Sequence, residues 1–89
     1  MTTPDMMMAT LPNPASNSNT VRYHIAEPSH VQIAVYDANG RAVKVLVNEY
    51  KQAGNYSVQW STNNLAKGTY FISANKNGAE AQTLKIVKN

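Results

Sequence analysis

Val31-Gln32-Ile33-Ala34-Val35-Tyr36-Asp37-Ala38-Asn39-Gly40 is the stretch that decides the fold. Val31, Ile33 and Val35 recur at every second position, which puts them on one face of an extended strand. Asp37-Ala38-Asn39-Gly40 then supplies a hairpin turn, because Asn-Gly tolerates the positive φ that such turns use. Upstream, Val21, Tyr23 and Ile25 alternate with Arg22 and His24 until Glu27-Pro28-Ser29 breaks the run. Downstream, Tyr56, Val58 and Trp60 alternate with Ser57 and Gln59, and Tyr70, Ile72 and Ala74 follow Lys67-Gly68. Leu84 and Ile86 share a face of the last segment, opposite Thr83, Lys85 and Val87. Arg41 to Asn48 is less regular: Val43, Val45 and Val47 fall on one face of a strand. A short helix also fits that pattern, and the three Val favour the strand.

Gly40, Gly54, Gly68 and Gly78 all fall between these segments. Short strands about 8–12 residues apart, separated by turn signals, are the sequence form of a β-sandwich. The chain has 89 residues, too few to hold crossover helices as well. The expectation is therefore all-β: an immunoglobulin-like antiparallel β-sandwich of about seven strands. Its core draws on Val21, Tyr23, Ile25, Val31, Ile33, Val35, Val58, Trp60, Tyr70, Ile72, Leu84 and Ile86, with Trp60 filling the space between sheets. Residues 1–8 read as a flexible tail or linker without periodicity, and 9–89 as the domain. Pro12-Asn13-Pro14 fixes two φ angles ahead of the first clear strand.

Composition supports one small domain. Apolar residues make up 43%, enough for a core, while charged residues make up 15%, below the usual quarter. Eleven Asn help to fill the difference, which suits turns and half-buried strands. Eight Lys and Arg against five Asp and Glu give a net charge of +3. Those cations are scattered, so no nucleic-acid footprint forms. Without cysteine there is neither a disulfide, a thiolate nucleophile nor a Cys-based zinc site. No apolar run is long enough to span a bilayer. The N-terminus lacks the basic and apolar regions of a secretory signal peptide.

Catalytic chemistry is not indicated. His24 and His30 lie on different sides of a break with few further metal ligands, and read as solvated. Asp37-Ala38-Asn39-Gly40 lacks the ligand count of a calcium loop. The carboxylates stand alone, and Ser29-His30 has neither an acid nor an oxyanion hole. Asn55-Tyr56-Ser57 matches a glycosylation sequon but reads as the beginning of a strand. The expectation is no enzyme, no catalytic or metal residues, and no cofactor.

The order of signals is more specific than the fold. Leu11-Pro12-Asn13-Pro14, Thr20-Val21-Arg22-Tyr23, the Val31 to Arg41 segment and Gln52-Ala53-Gly54 come first. Val58-Gln59-Trp60, Asn64 to Phe71 and the terminal Lys85-Ile86-Val87-Lys88 follow. Together, over roughly residues 9 to 89, they closely resemble the C-terminal sorting domain (type A) of proteins exported by the type IX secretion system. The resemblance implies a cargo domain on the N-terminal side of the same protein, which crosses the periplasm. It also implies an outer-membrane translocon that reads the domain, and a sortase-like peptidase that removes it, cutting in or before Met1 to Thr10. Delivery is to the cell surface or the medium. The family's Gly-x-Tyr element falls at Gly68 and Tyr70, its basic terminal strand at Lys85, Ile86, Val87 and Lys88, and its lead-in at Pro12, Asn13 and Pro14. Leu84 departs from the pattern, since many relatives carry another Lys there.

Each of these residues also has a structural reading. Gly68 supplies a positive φ or a close approach, Tyr70 fills core, and Lys85 and Lys88 guard a terminal strand against aggregation. The competing reading of the whole is an Ig-like binding or structural module, akin to flagellar hook-capping domains or carbohydrate-binding appendages.

Overall fold

The alternating segments become seven strands in a computed structural model that describes residues 6–11 and 17–89. They are β1 (Met6–Leu11), β2 (Ser18–Ile25), β3 (Ser29–Asp37), β4 (Ala42–Lys51), β5 (Gly54–Ser61), β6 (Gly68–Lys76) and β7 (Ala79–Lys88). Every pairing is antiparallel, in a three-stranded sheet of order β1-β2-β5 and a four-stranded sheet of order β4-β3-β6-β7. The architecture is the expected antiparallel sandwich. Its fourth strand joins β3, unlike that of constant-type immunoglobulin domains, where it sits with the first, second and fifth.

Alternation builds the core from both inner faces. Val21, Ile25, Val31, Ile33, Val35, Ile72 and Ile86 are fully buried, with Tyr23, Trp60 and Tyr70 nearly so. Val58 and Leu84, expected in the core, are half-buried and pack against it. Each lies on a strand at the end of its sheet order, where fewer neighbours cover the inner face. Met8, Val47 and Ala74 complete the core. The Trp60 indole N–H donates to Asn19 Oδ1 at 3.1 Å, its direct cross-strand neighbour, so a buried amide is satisfied beside the largest core ring.

Three features differ from the sequence reading. Strand β1 begins at Met6 and Met8 is 6% exposed, so residues assigned to the tail form part of the sandwich. Three consecutive methionines show no alternation, and the strand becomes visible through its pairing with β2. Val43, Val45 and Val47 do not share a face: Val47 is buried, whereas Val43 and Val45 are exposed. The cause is a pair of bulges against β3, where Leu46 and Val43 have no direct partner. A bulge inserts one extra residue and so changes which face the following side chains occupy. The Asp37 turn also differs in detail: Gly40 has φ 85°, but Asn39 does not take positive φ. Asp37 Oδ1 instead accepts the Asn39 and Arg41 amides at 2.9 and 3.0 Å.

Candidate recognition surface on the last hairpin

The β6–β7 hairpin begins at a two-residue turn. Asn77 and Gly78 have φ 52° and 85°, the left-handed pair that a type I′ hairpin turn requires. Asn77 also anchors the turn to β3. Its Oδ1 accepts the His30 amide at 2.9 Å, and its own amide donates to the His30 carbonyl at 2.8 Å. Four residues beyond the turn's first member, Ala81 has no direct partner, because Asn75 faces Glu80 while Ala74 faces Gln82. From there the register is unbroken to Lys88.

That register pairs the two resemblance-derived elements. Gly68 faces Lys88, Thr69 faces Val87, Tyr70 faces Ile86 and Phe71 faces Lys85. Residues 14 to 20 positions apart in sequence thus form one four-rung patch. Tyr70 and Ile86 point into the core, while Lys85 and Val87 are exposed on the outer face. Lys88 shares the row of Ile86 and is half-buried, so the two lysines do not form a single basic face. Among the described residues each Lys retains some interaction of its own. Pro12, Asn13 and Pro14 lie outside the described residues.

Local chemistry explains the Gly-x-Tyr spacing. Gly68 has φ 146°, which side chains rarely adopt, although a Cβ there would meet nothing within 4 Å. Backbone conformation, rather than space, demands the glycine. Two residues on, the Tyr70 hydroxyl donates to the Ala66 carbonyl at 2.7 Å. This is a tyrosine corner: the ring fills core while its oxygen fastens the loop leading into the strand. The element is therefore structural in its contacts, and Gly68 and Tyr70 hold the start of β6 against the tail.

Among the described residues no buried side-chain nitrogen or oxygen lacks a hydrogen-bond partner. His24 Nδ1 lies 2.8 Å from Asn55 Oδ1 on the outer face of the three-stranded sheet. That face carries a shallow depression of about 530 Å³, lined by Met7, Ala9, Arg22, His24, Asn55 and Ser57 among others. Tyr23 and Tyr56 stack with centroids 5.3 Å apart, and the Lys51 ammonium sits 4.9 Å from the Tyr56 ring. Burial pushes the Tyr23 phenol up, while the bond to Glu49 raises the Lys51 ammonium. The Arg41 amide, with that of Asn39, holds the Asp37 carboxyl below its ordinary value. Among the described residues no three His, Cys, Asp or Glu side chains gather as metal ligands would.

The sequence reading missed Gln82, whose side chain crosses to the other sheet: Gln82 Oε1 accepts the Met8 amide at 2.7 Å. A lone Gln beside an unpaired Ala carries no signal of that role. The contact becomes visible through the bulge and the β1 position.

Among the described residues the chain is thus a small antiparallel sandwich in which β7 pairs with a Gly-x-Tyr strand. The chain belongs to the family of secretion system C-terminal sorting domains, which it matches over residues 10–89. These are the sorting domains of type IX secretion, and the function they serve is protein transport. No curated protein matches the chain. The crystal structure of dimeric latent PorU from Porphyromonas gingivalis contains a similar fold at 20% identity and TM-score 0.77, over 93% of this chain and 9% of that one. A β-glucosidase from Listeria innocua, in complex with glucose, is similar at 12% identity and TM-score 0.57, over 94% of this chain and 16% of its own. The Pseudomonas fluorescens alkylpurine DNA glycosylase AlkC is similar at 12% and 0.56, over 96% and 30%. The chain thus spans a minor part of each of these proteins, and at such identities they share its fold.

Proposed function

We propose that the domain acts as a non-catalytic C-terminal sorting signal that is read in its folded state. A cargo domain on its N-terminal side crosses the periplasm. The outer-membrane translocon of the type IX system recognises the outer face of this pairing, where Lys85 and Val87 are exposed and Lys88 half-buried, while Tyr70 and Ile86 hold that face in place from the core side and Gly68 holds the start of β6. A sortase-like peptidase then removes the domain, leaving the cargo at the cell surface or in the medium. The observation that carries this reading is the β6–β7 register, which sets Gly68–Phe71 directly beside Lys85–Lys88. A tail read as an unfolded peptide would not need that pairing. We assign the Pro12-Asn13-Pro14 lead-in to the same signal.

The test is a transport assay. A reporter behind a periplasmic signal peptide is fused ahead of the 89-residue chain and expressed with and without the type IX system. Reporter outside the cell only when the system is present supports the reading. Retention in the periplasm of both hosts, with the fusion folded, overturns it. That result favours the binding or structural module, for which the outer-face depression at Arg22, His24 and Asn55 offers the place to look.

A further inference from the structure

Strands β1 and β7 are the end strands of their respective sheets and lie against each other across the sandwich. In an antiparallel ladder, amides on the side away from the partner strand are left for water or another chain. The Met8 amide is such a group, and Gln82 Oε1 accepts it at 2.7 Å. Its side chain meanwhile enters the core, 6% exposed and opposite Tyr23. Gln82 is the first residue after the Ala81 bulge, and it begins the inward row that continues through Leu84 and Ile86. The leading strand is thus fastened at the point where the register of the terminal strand is set.

We propose that β1 and β7 form a two-way latch. Docked β1 holds the terminal strand in register, and β7 in register keeps residues 6–11 closed to proteases. Such coupling is reciprocal by linkage: docked β1 favours β7 in register by the same factor as β7 in register favours docked β1. The consequence for transport rests on the sorting reading. A peptidase that cuts within residues 6–11 must first find β1 open, and the cut then loosens the strand that the machinery holds. Processing would thereby release the domain from its reader.

Hydrogen exchange on the full 89-residue chain tests the latch without any secretion host. Gln82→Met keeps the side-chain length but removes the acceptor, whereas Gln82→Glu retains an acceptor. The expected result for Gln82→Met is about tenfold faster exchange over both Met7–Leu11 and Gln82–Ile86, the effect of losing one hydrogen bond to a sheltered amide. Amides of β3 and β6 stay unchanged, residues 6–11 are cut sooner in limited proteolysis, and Gln82→Glu behaves as the parent does. Faster exchange in β1 alone overturns the coupling, as does a uniform rise in all strands. Equal effects of Gln82→Met and Gln82→Glu overturn the role of the acceptor. A failed latch with an intact transport assay removes this inference and leaves the sorting reading standing.

Discussion

Replacing Tyr70 by Phe removes a single oxygen from the tyrosine corner. The ring stays where it is, 7% exposed among Ile86 and Ile72, so no cavity opens. What is lost is the 2.7 Å bond to the Ala66 carbonyl, which lies on an exposed loop and regains water. A neutral hydrogen bond of this kind contributes about 0.5–1.5 kcal/mol net. For a domain of this size each kcal/mol shifts Tm by roughly 4–8 °C, so Tyr70→Phe is expected to lower Tm by about 2–12 °C. In urea the midpoint should fall while the slope stays constant, because the surface exposed on unfolding is nearly the same. Thermal and urea melts of the purified chain, followed by near-ultraviolet circular dichroism, measure both quantities. Because the hydroxyl is directed at the loop rather than outward, delivery of a reporter fusion at a temperature well below the melt should be unaffected. Unchanged stability combined with lost delivery would refute the reasoning, since the hydroxyl would then be serving a partner instead of the corner.

Other substitutions probe the rest of the framework. Trp60→Ala should cost about 3–5 kcal/mol by emptying the inter-sheet space and removing the donor to Asn19, and an unchanged melting curve would refute that placement. Asn77→Ala should destabilise the last hairpin by about 1–3 kcal/mol, because it loses the bond to the His30 amide and forces Ala into positive φ. Asn77→Gly, which keeps the backbone freedom, should cost less, and chemical melts of the two variants decide the ranking. Asp37, whose native pKa lies below its ordinary value of 3.8, stabilises the fold at neutral pH and down to about that value; the contribution fades as pH falls through the native value. Asp37→Asn keeps the Oδ1 acceptor and should flatten the stability-against-pH curve below 3.8, which acid titration of both proteins would show. Deleting Leu84 to Asn89 should leave cargo in the periplasm, and normal surface delivery of the truncated fusion would refute tail recognition.

Much of this fold is legible in strands β2, β3, β5 and β6, where a period of two runs uninterrupted and turn residues mark the ends. Strand β4 is legible as a strand but not in its faces, since the bulges at Leu46 and Val43 depend on how β3 pairs with it. Strand β1 is not legible, because a run of methionines has no period and the strand exists through contact with β2 and β7. The candidate site divides in the same way. Its residues could be picked out one by one from the family pattern. Their side-by-side arrangement could not, because a register is a relation between strands and Ala81 changes it. Nor could the division of roles, in which Tyr70 faces inward while Lys85 and Val87 face outward.

The Ala81 bulge gives the tail an odd-and-even arithmetic. Counted from the Asn77-Gly78 turn without it, Tyr70 would face Lys85, and a charge would be driven inward while Leu84 and Ile86 turned to water. Removing Ala81 itself merely straightens the strand and leaves every rung from Gln82 onward in place. Removing Thr83 changes the count on the wrong side of the bulge and turns Gln82 outward if Leu84 and Ile86 keep their rungs. A single residue put back between Gln82 and Leu84 restores the parity. One residue between the turn and Gln82 can therefore be spared, while the spacing from Gln82 to Lys88 is held by the parity of a pleated strand.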